Sequence, residues 1–373
     1  MNEETFVSKR GSLRIEISRK HLFLVIASMY LFVSSIVLIK ESTILMGQEQ
    51  VRKVLGSIRS TTTAVFAGLF GTSLIQSSGA FDSIIITFVS AGVVPTYVAV
   101  ATIIGAEVGT TITTQLVSVL GYLTKGKDKF KSSFLVAMIH YWYNLGTLLI
   151  FFPIELFFGS FTYIAEIGSS FFSKVPGLSA VPTIFTLITP WVELLLCYIP
   201  AWIGFIGGCT LLILSLRNLE KYLSATFATE VSRSLIRSTF GSSYKAFFAG
   251  MGFTIIVPST SVMVSILIPL ATTGIIESGY HLLPYILGAN IGTVFDVMIA
   301  ALATGDPAAI GVWLVHLTIN IIGACIFLPL LKPFNTFINI INDFLTFSKK
   351  RILVFVSLSN IIPLLILILS WVI

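Results

Sequence analysis

The chain is 373 residues long, 55% hydrophobic and 11% charged, with 23 Lys and Arg, 17 Asp and Glu, and a formal net charge of +6. A soluble domain of that length carries roughly 25% charged residues, so the composition excludes a water-soluble globular enzyme and predicts an all-α polytopic membrane protein. The positive balance sits in loops between apolar runs and gives no reason to expect a nucleic-acid partner; the partner it implies is the lipid bilayer.

Residues 1–20 are polar and basic and read as a cytoplasmic N-terminal tail. The apolar run that follows is long enough to remain as a span, so no cleavable signal peptide is expected. Runs of about 20 apolar residues suit the bilayer core. They predict a first transmembrane helix and interfacial segment over 21–60, spans at 97–120, 133–153, 190–215, 281–303 and 312–331, and an interfacial segment with a last transmembrane helix over 333–373. Two further stretches, 61–94 and 246–278, are each roughly two half-spans long with a polar middle bearing Gly, Ser or Pro. Irregular backbone at membrane depth is tolerated only where protein shields it or where it lines a cavity. Both stretches are therefore predicted to be re-entrant helical hairpins. The chain divides into a first repeat at 61–155, a region at 156–245 with an extracellular loop, the 190–215 span and a cytoplasmic loop, and a second repeat at 246–332. Cys197, Cys209 and Cys325 lie in apolar runs and read as buried thiols without a disulfide or metal role.

Lys and Arg mark the cytoplasmic side of a membrane protein. They cluster in the N-terminal tail, at Lys125–Lys131, in a middle loop from Arg217 to Lys245, and at Lys332 and Lys349–Arg351. These clusters share one side only if each hairpin returns to the face it entered, the first from outside and the second from inside. Opposite sides make the repeat an inverted one, with a binding site near the midplane where the interrupted elements meet.

The duplication is visible in the residues. With a shift of 182, Gly68, Thr72, Ser77, Ser78, Ser83 and Gly92 fall on Gly250, Thr254, Ser259, Thr260, Ser265 and Gly274. After one inserted residue, GAEVGT at 105–110 meets GANIGT at 288–293, and both halves then carry His, Asn and Pro at equal spacing: His140, Asn144, Pro153 and His316, Asn320, Pro329. Small residues alone would serve helix packing; a polar cluster with Gln and Asp at a hairpin tip has no such explanation.

In order, QSSGAFDS, GAEVGTTIT, PSTSVMVS and GANIGTVFD resemble the type II sodium/phosphate cotransporter family, which carries two Gln-Ser-Ser-Ser motifs, each followed by Gly-Ala-Asn-Ile-Gly-Thr and a later His-x-x-x-Asn. The resemblance covers roughly 60–155 and 245–332. It implies a secondary active transporter in which Na⁺ and inorganic phosphate bind between two inverted repeats and move by alternating access, with no cofactor beyond the transported Na⁺. Gln76, Ser77 and Ser78 match the first motif, Ser259, Thr260 and Ser261 the second, and Asn290 and Thr293 the second Gly-Ala-Asn segment. Three positions depart: Pro258 stands for the second Gln, Gly79 for the third Ser of the first motif, and Glu107 for the first Asn.

The residue types suit that chemistry. A half-helix starting at Ser77 or Ser259 presents free N–H groups and the positive end of its dipole, which bind an anion without a cationic side chain. Ser77, Ser78, Ser259, Thr260 and Ser261 add hydroxyls, Gly79 permits close backbone approach, and no Lys or Arg is expected at the site. Sodium prefers oxygen ligands, available from Gln76, Thr110, Thr111, Asn290 and Thr293. Asp82, Glu107 and Asp296 supply negative charge that Na⁺ or a proton can neutralise; the alternative for each is a helix-packing hydrogen bond. His140 and His316 are candidates for proton relays, but their symmetric positions beside Asn favour fixed interhelical hydrogen bonds, and Glu193 is expected to be structural. Rival readings are the same fold moving another oxyanion or a phosphorylated solute or lipid, with proton coupling as an alternative to Na⁺, and a non-transporting membrane subunit. No H-E-x-x-H, Gly-x-Ser-x-Gly or nucleotide motif supports an enzyme or ATP-driven transport.

Overall fold

The computed structural model describes residues 19–47, 58, 60–125, 127–178, 189–227, 238–272 and 279–372. Among them the architecture is helical throughout, without a strand. The helices run α1 (Arg19–Met46), α2 (Thr61–Ile75), α3 (Ser78–Ser90), α4 (Thr96–Gly109), α5 (Thr111–Lys125), α6 (Lys127–Phe158), α7 (Ser160–Phe172), α8 (Pro190–Tyr198) and α9 (Ala201–Phe227). They continue as α10 (Ser243–Ile256), α11 (Thr260–Thr272), α12 (Gly279–Thr304), α13 (Pro307–Phe327), α14 (Leu331–Thr346) and α15 (Lys349–Val372). Among the described residues, seven segments are long and apolar enough to cross a membrane: 20–46, 96–119, 131–158, 201–223, 280–304, 307–327 and 349–369. Residues 1–18 of the basic tail and 228–237 of the middle loop lie outside the described residues.

One span differs from expectation, lying at 201–223 rather than 190–215. Pro200 is the reason. The residue before a proline is pushed out of the helical region, and Ile199 is extended at φ −118°, ψ 148°, which ends α8. The next helix runs on through Arg217 and Glu220 to Phe227, so two charges expected near a loop belong to a helix. The cysteines also differ: Cys197 and Cys325 are exposed and Cys209 is half-buried. Lipid tails are as apolar as Leu, so an apolar run fits the outer surface as well as the core.

At residues 76–77 and 257–259 the chain breaks between paired short helices. α2, α3, α10 and α11 have 15, 13, 14 and 13 residues, and at about 1.5 Å per residue none covers a core about 30 Å thick. Gln76 ends α2 in the left-handed conformation at φ 61°, the one non-glycine residue with positive φ among those described. Ser77 is extended, and its Oγ accepts from the Ala80 N–H at 3.3 Å, capping α3. In the second half Pro258 makes the break instead, holding Val257 extended at φ −112°, ψ 90°. Ser259 then accepts from the Val262 N–H at 3.4 Å. Two different backbone devices produce one break.

The duplication extends to packing. A Cβ on Gly68 would meet the Thr102 carbonyl, and one on Gly250 the Tyr285 carbonyl. Gly105 meets Val65 and Gly288 meets Phe247 in the same way, and Gly109 and Gly292 approach Leu69 with Thr72 and Met251 with Thr254. Each pair keeps the offset seen in the sequence. Glycine is required here because helix backbones touch, α2 on α4 and α10 on α12. The halves also interlock: α3 packs on α12, while α11 packs on α5 and α6. The segment 96–119 is 83% buried and 349–369 only 17%, which places the motif-bearing helices at the centre and α15 at the edge.

Candidate functional site

The interlocking places candidate side chains from both halves together in two adjoining centres. In the first, α3 contributes Asp82, α4 Glu107 and α13 His316, all buried. His316 Nε2 lies 2.9 Å from Glu107 Oε1, and His316 Nδ1 lies 3.5 Å from Asp82 Oδ2. The first distance is a hydrogen bond; the second exceeds the 2.7–3.2 Å of a good N–H···O bond. Among the described residues, neither Asp82 oxygen nor His316 Nδ1 has a hydrogen-bond partner. A buried carboxylate without donors costs several kcal/mol, and the three groups offer ligand atoms within 4.8 Å of one another.

Glu107 and Asn290 occupy equivalent repeat positions and meet, Asn290 Nδ2 donating to Glu107 Oε2 at 3.3 Å. The same amide donates to Asn144 Oδ1 at 2.8 Å. Asn144 and Asn320 each donate to the carbonyl of the histidine four residues earlier, both at 3.1 Å. His140 fits the expected interhelical role, with Nδ1 at 3.2 Å from Thr114 Oγ1. His316 does not stop there, because its ring lies between two carboxylates.

The second centre joins the hairpin tips. Ser77 donates to Glu220 Oε1 of α9 at 3.3 Å, and Ser259 of the opposite tip lies against the same carboxylate. Arg217, one turn earlier on α9, donates to the Ile75 carbonyl at 2.7 Å, at the end of α2. A cation therefore stands at the first tip, where none was expected. Asp296 of α12 links the centres. Its Oδ1 accepts from the Val297 N–H at 2.7 Å, its Oδ2 has no partner and occupies the place of a Cβ on Gly79, and it is within electrostatic reach of Glu220, His316 and Asp82. Gly79 is thus needed for α12 to reach the start of α3.

The remaining candidates are more dispersed. Ser261 donates to the Thr110 carbonyl at 3.0 Å, with the two hydroxyls 3.2 Å apart, and Thr260 donates to the Ala289 carbonyl at 3.3 Å. These bonds tie the second tip to both halves. Thr111 bonds back to Val108 at 2.7 Å within its own turn. Ser78 and Thr293 are buried on the same elements, whereas Gln76 is exposed. A cavity of about 530 Å³ among Ala67, Phe81, Ile84, Phe88 and Tyr97 is apolar and holds none of these polar groups.

The family model described as "Na+/Pi-cotransporter" matches residues 31–173 and 211–347, which take in both tips, both Gly-Ala segments and Glu220. The chain belongs to the Na⁺/Pi-cotransporter family. It is 24% identical over 395 residues to the sodium-dependent phosphate transport protein 2A of Ovis aries, covering 82% of this chain and 60% of that protein. It is 22% identical to protein 2B of Pongo abelii, covering 83% of this chain and 59% of the relative, and 24% identical to protein 2C of Rattus norvegicus over 59% and 50%. The chain thus spans about 60% of the length of its 2A and 2B relatives. No solved structure matches it.

Within this Na⁺/Pi-cotransporter core, sequence reasoning missed Glu220 and favoured a structural bond over a proton relay for His316. Glu220 follows the hydropathic run, among the charges of RNLEKYL. The usable signal was periodicity: Leu212, Leu216 and Leu219 form one buried stripe, and Glu220 falls on it if the helix continues.

Proposed function

We propose that this member of the Na⁺/Pi-cotransporter family is a secondary active transporter that carries inorganic phosphate with Na⁺ by alternating access. The observation that carries this reading is the convergence of the duplicated tips, with Ser77 and Ser259 meeting at one carboxylate. The phosphate site is the pair of starts of α3 and α11, where N–H groups and hydroxyls of Ser77, Ser78, Ser259, Thr260 and Ser261 face an anion and Gly79 allows close approach. Cation binding falls to the adjoining centre. Asp82 and Glu107 supply charge there, with Asp296 close by, and Asn290, Thr110 and Thr293 supply neutral oxygens; Thr111 and the exposed Gln76 are the remaining oxygen-bearing candidates.

The donorless Asp82 carboxylate supports cation coupling. A buried charge of this kind is stabilised when a cation arrives, so loading Na⁺ lowers the energy of the closed, dry site that phosphate also needs. Coupling follows, because each ligand completes what the other requires. The short pairs α2–α3 and α10–α11 are the proposed re-entrant hairpins, entering from opposite faces with the N-terminus cytoplasmic, and the halves move against each other around the fixed site.

The test is radiolabelled phosphate uptake into liposomes holding the purified protein, with an inward Na⁺ gradient or with choline replacing Na⁺. Concentrative uptake that requires Na⁺ is expected. Binding without translocation would favour a receptor or subunit, and uptake indifferent to Na⁺ but driven by a pH gradient would replace the cation assignment with proton coupling.

A further inference from the structure

An anion site made from helix starts and hydroxyls has no electrostatic use for a carboxylate at its centre, and Glu220 is placed there. It is 9% exposed, takes the Ser77 hydroxyl at 3.3 Å and lies against Ser259. Asp296 brings a second carboxylate, whose Oδ2 is buried, has no donor and faces the first turn of α3. Arg217 lies within electrostatic reach of Glu220, but its guanidinium is exposed and donates to the Ile75 carbonyl.

We infer that Glu220 is a specificity-determining residue that accepts a hydrogen bond from an acidic O–H of the bound oxyanion. The tips therefore take tetrahedral anions that keep an ionisable proton, such as phosphate and arsenate, and reject sulfate. This rests on the phosphate reading above and deepens it. An ionised carboxylate accepts and never donates. Beside it, an anion that brings its own proton forms a short, charge-assisted O–H···O⁻ bond, whereas sulfate sets bare lone pairs against bare lone pairs. Monobasic and dibasic phosphate both retain an O–H, so either form satisfies Glu220. Ser77 and Ser259 are both turned to Glu220. Once the incoming O–H satisfies the carboxylate, both hydroxyls are released to donate to the other oxygens of the anion.

Sites built to pair with one substrate hydroxyl reject analogues lacking it by about 10⁴-fold or more. With serines that rotate, a gap on the order of 10²-fold between arsenate and sulfate is expected here. The experiment is competition against radiolabelled phosphate uptake by proteoliposomes of the full chain under an inward Na⁺ gradient, using arsenate, sulfate, methylphosphonate and methanesulfonate. Arsenate and methylphosphonate should compete and the two sulfur anions should not. Glu220→Gln keeps the size but places an amide donor at the tips, so the arsenate–sulfate gap should fall below about tenfold while phosphate still binds. If that variant fails to elute as a folded species, Glu220→Ala, which admits a donating water, takes its place. Sulfate competing as well as arsenate in the unmodified protein overturns the inference and leaves phosphate transport standing, as does a folded variant that keeps the full gap. Failure to take up phosphate or arsenate at all overturns the transport reading and this one with it.

Discussion

Asp82→Asn keeps the shape of the side chain and removes its charge, so it isolates the proposed contribution of Asp82 to cation binding. The scale follows from the local packing. A unit positive charge held at the 3.5 Å that now separates His316 Nδ1 from Asp82 Oδ2 interacts with the carboxylate by about 5 kcal/mol at an effective dielectric of about 20. At about 1.4 kcal/mol per tenfold, that is roughly three decades in affinity. Dehydration of the cation takes part of it back, so the Na⁺ concentration for half-maximal phosphate uptake should rise roughly 10²- to 10³-fold. Folding should survive. The variant loses a buried charge worth several kcal/mol of desolvation and gains a buried amide costing about 1–3 kcal/mol. Thermal denaturation in detergent gives the second readout. The native protein should be stabilised by added Na⁺, in proportion to the logarithm of its concentration above Kd, and Asp82→Asn should show a flat response across the same range. A variant with unchanged half-saturation and unchanged Na⁺-dependent stabilisation would refute the role and leave Asp82 a structural group.

Three further outcomes are expected. Ser77→Ala and Ser259→Ala each remove a hydroxyl while leaving the backbone donors; the phosphate KM should rise about tenfold, with a capping loss of about 1 kcal/mol and near-normal elution on size exclusion. A fall in folded protein that matches the fall in uptake would instead make these serines helix caps alone. Glu107→Asn recreates the amide of its repeat partner Asn290 and removes the 2.9 Å partner of His316 Nε2; the protein should fold, with the charge moved per phosphate altered in membrane-current recordings, and an unaltered charge would exclude Glu107 from coupling. In a background lacking Cys197, Cys209 and Cys325, a cysteine at Lys131 should react with an impermeant reagent only from the cytoplasm and one at Pro307 only from outside; labelling of both from one side would remove the support for oppositely entering hairpins.

The features that show in the sequence are those with high contrast against an apolar background. Gln76, Ser77, Ser78 and Asp82 stand out because polar groups at membrane depth are costly, and the paired motifs reveal a duplication that the glycine contacts repeat in three dimensions. The membrane class and the breaks at 76–77 and 257–259 follow from local physics: hydropathy, the run of Ser and Gly, and Pro258. Pro200 was legible too, and its weight was missed. It splits an apolar stretch that composition alone reads as one span.

Other features needed the tertiary structure. Local sequence treats His140 and His316 alike, since each precedes an asparagine that returns to its carbonyl. The fold gives one a threonine partner and places the other between two carboxylates. Glu220 reads as an ordinary charge at a helix end until α9 brings it to both tips. Cys197 and Cys325 read as core until the packing turns them outward. Local chain forces set where helices stop, start and carry polarity, because those forces act within a few residues. Which polar groups share a dry site is decided by the interlocking of two halves, through contacts such as Ser77 with Glu220, 143 residues apart, and His316 with Glu107, 209 apart. No periodicity along the chain encodes a distance of that kind.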